Sequence, residues 1–155
     1  MAYAYCREQN ERLKILRSMR EIFIRIKKEI EYLKASVPEI CHRLGTQNLI
    51  FGNVFRDIYE DLELQNGASF YDIWQRHFEE RLKKTPLRET EKEMIELFPK
   101  SLIYRDSEGQ AEGIDQYINE VSSYVDEVEA GIKSKNKVIM CMGIMAGMIT
   151  VVILF

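Results

Sequence analysis

The sequence predicts an all-α fold: an antiparallel bundle of about five to six helices with long first and last helices, plus a C-terminal transmembrane helix. Three observations carry this. Apolar residues recur at alternating spacings of three and four along both ends of the chain, the signature of a helical seam. Only 8 Gly and 3 Pro punctuate 155 residues, too few for many short strands and turns. The last stretch, 138–155, is apolar without interruption. No stretch alternates apolar and polar residues long enough for a strand, and the length suits one compact domain rather than two.

The first helix is expected from Arg7 to Val37, with a seam of Leu16, Met19, Phe23, Ile26, Ile30, Leu33 and Val37. Ile15 and Ile22 widen the stripe, as globular packing requires. Arg20, Lys27, Lys28, Glu31 and Lys34 lie opposite and read as a solvated face. Ser36 suits the N-cap of a second helix with Pro38 and Glu39 in its first turn, and Gly45 is a natural stop after Leu44. A third helix spans about Asn48 to Gln65, with Phe51, Val54, Phe55, Ile58 and Leu62 on its apolar side, and Asn66-Gly67 ends it. Ser69 with Asp72 three residues on is a capping-box variant opening a fourth helix, which turns Ile73, Trp74, Phe78 and Leu82 inward. Thr85-Pro86 reads as the start of a fifth, carrying Leu87, Met94, Leu97 and Phe98 before Pro99 ends it. The last helix opens at Asp106 or Ser107. Its seam is Ile114, Tyr117, Val121, Tyr124, Val128 and Ile132, and it runs without a strong breaker toward Lys137.

Val138 to Phe155 contains no charge, no Pro, no Asn and no Gln. At ~1.5 Å per residue it spans about 27 Å, enough for the hydrocarbon core of a bilayer. A helix inside a small soluble protein is seldom apolar on every face. Lys133, Lys135 and Lys137 sit just upstream and, by the positive-inside rule, keep the preceding domain in the cytoplasm. The expected organisation is a cytoplasmic bundle over 7–137 and a membrane anchor over 138–155. Gly143 and Gly147 form a GxxxG inside the anchor, a spacing that lets two membrane helices approach closely. Met1 to Cys6 is too short to span a membrane, and no apolar region follows it as in a signal peptide.

Little points to catalysis. The chain has no glycine-rich phosphate loop, no Gly-x-Ser-x-Gly elbow and no Cys-x-x-Cys pair. The net charge of -3 argues against nucleic acid, which calls for a basic face. Cys6, Cys41 and Cys141 are odd in number and far apart, which suits unpaired thiols in a reducing compartment better than a disulfide framework. Glu39 and His42 form one Glu-x-x-His, half of a di-iron carboxylate motif, but His77 follows Trp74 at that spacing, so the second half is missing. Neither a metal nor a cofactor is expected. Trp74, Tyr117 and Tyr124, at helical spacing, read as core before they read as partner anchors.

Several local motifs, in order, resemble the stage III sporulation protein AB family of endospore-forming bacteria. They are Glu29-Ile-Glu-Tyr32 followed by Val37-Pro38-Glu39, Ser69-Phe-Tyr-Asp-Ile-Trp74, Asp106-Ser-Glu-Gly-Gln110, and the ending with Met142-Gly143 and Gly147. The resemblance covers about Arg7 to Phe155. It departs at the start, where the family has a hydrophobic segment and Met1–Cys6 matches only a stub. It departs again before Met142, where Cys141 stands in place of the family's basic residue.

The resemblance implies a bundle similar to the cytoplasmic domain of F-type platform proteins of type II secretion and type IV pilus systems. It implies a non-enzymatic, membrane-anchored assembly component of the transport apparatus between mother cell and forespore, in the mother-cell membrane that faces the forespore. Other membrane proteins of that apparatus and a cytoplasmic ATPase of the same operon are the implied partners. Asp106, Glu108 and Gln110 match the family's Asp-x-Glu-x-Gln and are its candidate partner-binding residues. Physically, Asp106 also suits an N-cap, with Glu108 near the positive end of the helix dipole and Gln110 returning a bond to the cap. Two competing readings need fewer residues: a tail-anchored coiled-coil or signalling adaptor, which uses only the two long seams and the anchor, and a carboxylate metal enzyme, which uses Glu39 and His42.

Overall fold

Two serines set the starts of two of the middle helices. Ser36 Oγ accepts the Glu39 N–H at 3.4 Å while the Glu39 carboxylate accepts the Ser36 N–H at 3.2 Å, a closed capping box. Ser69 Oγ accepts the Asp72 N–H at 3.1 Å. The computed structural model describes residues 1–64, 66–102 and 107–154, with side chains described throughout except at 107–112. Within it run six helices: α1 (Ala2–Leu33), α2 (Val37–Thr46), α3 (Gly52–Glu63), α4 (Phe70–Leu82), α5 (Glu89–Glu96) and α6 (Ser107–Leu154). A 3₁₀ turn over Phe98–Leu102 follows α5, and no strand occurs among the described residues.

Several boundaries differ from the sequence expectation, each for a local reason. The first helix begins at Ala2, before Arg7, and ends at Leu33, before Val37. Lys34 turns into the left-handed region at φ 50°, and Ala35 N–H donates to Glu29 O at 3.2 Å. Val37 therefore belongs to α2. Gly45 does not stop α2, which continues to Thr46. A Cβ there would lie 3.0 Å from the Arg56 backbone, so this glycine lets α2 and α3 cross closely. Thr85 does not start a helix: its hydroxyl donates to Leu82 O at 2.6 Å and closes the end of α4. The α5 start lies at Arg88, whose N–H is held by the Glu91 carboxylate at 2.9 Å.

Aromatic rings from α1, α3, α4, the 3₁₀ turn and α6 meet in the core. Phe23 of α1 stacks on Phe98 of the 3₁₀ turn (centroids 4.4 Å), and Trp74 stacks on Phe78 within α4 (4.3 Å). Trp74 also meets Phe98 at 5.2 Å and Phe55 of α3 at 5.7 Å, and Tyr117 of α6 meets Phe23 edge-on at 5.4 Å. Trp74 is 0% exposed and its indole donates to Ile95 O at 3.0 Å, so it is core with a satisfied donor. Helices α2 and α3 form one hairpin, α4 packs on α3, and α5 with the 3₁₀ turn bridges α4 to α6.

The two long helices run antiparallel. Cys6 Sγ lies 3.4 Å from Asn136 Oδ1, Arg17 pairs with Glu129 at 2.5 Å, Arg20 with Asp126 at 3.1 Å, and Lys27 with Asp115. Arg20 and Lys27 are thus the polar edges of the α1–α6 contact rather than part of a freely solvated face.

Candidate functional site

The seam of α6 ends abruptly. Ile114, Ile118, Val121, Val125 and Ile132 are buried against the bundle. Ile139 is half-buried, and every described residue after it is exposed. The helix nevertheless continues unbroken to Leu154, 48 residues in all. Long, apolar and bare, this part of α6 is the one stretch among the described residues with the length and composition to cross a membrane, and no part of its most apolar window is buried. Gly143 and Gly147 lie one turn apart on it, and nothing approaches within 4 Å of where a Cβ would stand on either. This leaves a shallow, open face. Thr150 stays satisfied by donating to Ala146 O at 2.9 Å.

At the root of this helix sits a buried polar cluster that joins three elements. Arg12 of α1 is 4% exposed and Glu91 of α5 is 1% exposed. Arg12 Nε lies 2.9 Å from both carboxylate oxygens of Glu91, and its Nη2 reaches the same carboxylate. Tyr124 of α6 donates to Glu91 Oε1 at 2.7 Å, and the second guanidinium arm donates to Gln9 at 3.0 Å. Burial alone would push the Glu91 carboxyl up, but the bonds from Arg12, from the Arg88 N–H and from Tyr124 outweigh it and hold the pKa below the usual carboxylate range. Tyr117, one heptad before Tyr124, donates to Met94 O at 2.6 Å, and burial raises its phenol. Two tyrosines of α6 therefore clasp α5 from one face.

The sequence reading placed Tyr117 and Tyr124 on this seam but missed Arg12 and Glu91. A signal existed. Arg12 stands one turn before Leu16 and two before Met19, a charge on an apolar stripe, which calls for a buried partner. Glu91, 79 residues away, carried no such mark.

The remaining candidates divide. Asp106 lies outside the described residues. Glu108 and Gln110 lie on α6 in the stretch whose side chains are outside them. Glu39 is engaged in the α2 capping box, and the His42 ring packs on Tyr59 (centroids 4.7 Å). His77 instead meets Asp61 at 2.5 Å, which holds that carboxyl below its ordinary pKa together with Arg76. Among the described residues no three His, Cys, Asp or Glu side chains converge as a metal site would require.

A family model described as stage III sporulation protein AB matches residues 1–155, the whole chain. No curated protein and no solved structure matches.

Proposed function

Because the chain belongs to the stage III sporulation protein AB family, and so to the sporulation machinery, we propose that it is a membrane-anchored assembly component of the mother cell–forespore transport apparatus, acting by binding and not by catalysis. The observation that carries this is the division of α6: its first half is a core helix of the bundle and its second half is a bare apolar rod. A continuous helix of that kind would join a soluble body to a bilayer with no loop between them. On this reading 7–137 is the cytoplasmic bundle and 138–155 the anchor, with Lys133, Lys135 and Lys137 setting the orientation.

Gly143 and Gly147 would receive a second membrane helix of the apparatus, since small residues one turn apart admit close backbone contact. The soluble body would offer Asp106, Glu108 and Gln110 to a cytoplasmic ATPase or another platform protein, an acidic end suited to a basic patch. The adaptor reading is less well supported: α1 pairs with the part of α6 that precedes the apolar run, but four shorter helices pack with them, unlike a coiled coil that needs no middle.

Complementation tests the proposal. In a deletion strain, the full chain should restore endospore formation, and the chain ending at Lys137 should not, even when expressed at equal level. Sporulation restored by the chain without 138–155, or a deletion strain that sporulates normally, would overturn it.

A further inference from the structure

The antiparallel register places part of α1 at the membrane boundary. Cys6 is level with Asn136, so Tyr5 falls level with Lys137 and Tyr3 with Ile139, one residue into the apolar run. Ile139 is the last sheltered residue of α6, consistent with the first turn of α1 reaching that height. Tyr3 is 83% exposed and Tyr5 40%. Exposed tyrosines at this height, beside lysines, have the composition of an interfacial belt.

Immediately above them, between α1, α6 and the start of α5, lies a cleft of about 270 Å³ whose lining includes Tyr5, Gln9, Arg12, Arg88, Gly131 and Lys135. The charge of Arg12 is taken by Glu91. Arg88 and Lys135 are exposed and have no ion-pair partner among the described side chains. Glu127, the one acidic residue on the rim, stands eight positions before Lys135, about 12 Å farther from the bilayer. Lys135 lies about 4.5 Å and Gly131 about 10 Å above Val138 along the helix, while the headgroup layer is roughly 5–7 Å thick on each side. A Cβ at Gly131 would meet nothing within 4 Å, so this wall of the cleft is open.

We propose that this cleft seats the phosphate of an anionic phospholipid headgroup, held by Arg88 and Lys135, with Tyr3 and Tyr5 in the interface below it. The inference rests on the membrane reading of α6 and adds to it a lipid preference and a fixed seat for the bundle on the bilayer. Long-stemmed cations brought to one cleft by two different elements, with the neighbouring acids spent elsewhere or distant, suit a phosphate better than a zwitterionic surface.

The test uses the full chain in nanodiscs of phosphatidylcholine alone or with three parts in ten phosphatidylglycerol, with unfolding followed by Trp74 emission. The wild type should melt roughly 5 °C higher in the anionic discs. The double variant R88Q/K135Q should lose that shift, and K137Q, which changes a charge at the same height outside the cleft, should keep most of it. Equal melting of the wild type in both discs, or a shift retained by R88Q/K135Q, overturns the proposal. So does soluble glycerol phosphate reproducing the full shift in neutral discs, which would assign the cleft to a free phosphate. Carbonate extraction of wild-type chain from vesicles is read in parallel: release there would sink the membrane reading itself, whereas retention with no anionic shift sinks only the lipid seat.

Discussion

Replacing Glu91 by Leu removes the carboxylate on which α1, α5 and α6 converge. The wild-type carboxylate accepts Arg12 Nε at 2.9 Å on both oxygens, the Arg12 Nη2, the Tyr124 hydroxyl at 2.7 Å and the Arg88 N–H at 2.9 Å. With Arg12 only 4% exposed, Glu91→Leu strands a buried cation, and removing one partner of such a pair costs about 3–5 kcal/mol. For a chain of this length that corresponds to a fall in Tm of roughly 10–15 °C. Replacing both partners, Arg12→Met with Glu91→Leu, removes the stranded charge and should recover most of the loss, leaving about 1–2 kcal/mol for the orphaned Tyr124 hydroxyl and Arg88 N–H. The assay is thermal unfolding of the full chain in mild detergent, read by far-ultraviolet circular dichroism and by emission of Trp74, the single tryptophan. A Glu91→Leu variant within about 1 kcal/mol of wild type, or a double variant as damaged as the sum of the singles, would refute the reasoning.

Other expectations follow from the same contacts. The Glu91 pKa is depressed on folding, so its contribution is present above the unfolded value of about 4.3 and is lost as pH falls through the folded one; wild-type Tm should be level above about pH 5 and drop below it, with a shallower drop in Arg12→Met/Glu91→Leu. Lys34→Gly relieves a non-glycine residue at φ 50° and should stabilise by about 0.5–1 kcal/mol, which a denaturant titration resolves and which a neutral or negative change would contradict. Gly45→Ala brings a Cβ to 3.0 Å from the Arg56 backbone and should cost about 1–3 kcal/mol by the same titration; a silent substitution would mean that α2 and α3 do not cross this closely. Burial pushes the Cys41 thiol up to about 12, so at pH 8 it should resist a thiol reagent until the bundle unfolds, and rapid labelling in the native state would contradict the packing of α2.

Much of this architecture was legible because it is local. Ser36 with Glu39 and Ser69 with Asp72 announce their helices within four residues, and the seams around Phe23, Phe55, Trp74 and Val121 face the core, except that Leu33, the last residue of α1, is 63% exposed. The misplaced boundaries were those set by tertiary contact or by competing local chemistry. Gly45 reads as a stop in sequence but serves a crossing with α3, visible only once Arg56 lies against it. Thr85-Pro86 has the form of a helix start, yet the Thr85 hydroxyl is taken by the end of α4, and Glu91 marks the true start by reaching back to Arg88. The Arg12–Glu91 pair is long-range, so only half of it, a charge on an apolar stripe, could be seen in advance. For the same reason the cleft between Tyr5, Arg88 and Lys135, which draws on three separated segments, has no sequence signature.

The continuity of α6 from bundle into lipid is tested most directly with a membrane-impermeant maleimide on intact, sealed vesicles with the bundle outward. The chain carries Cys6→Ser and Cys41→Ala, so that Cys141 or an introduced Ser134→Cys reports alone. Seven residues, about 10 Å of helix, separate the two reporters. Ser134→Cys should label at the rate of a free thiol, and Cys141 should stay protected until detergent is added. Labelling of Cys141 at the same rate as Ser134→Cys, without detergent, would place the apolar half of α6 in water and contradict the central claim.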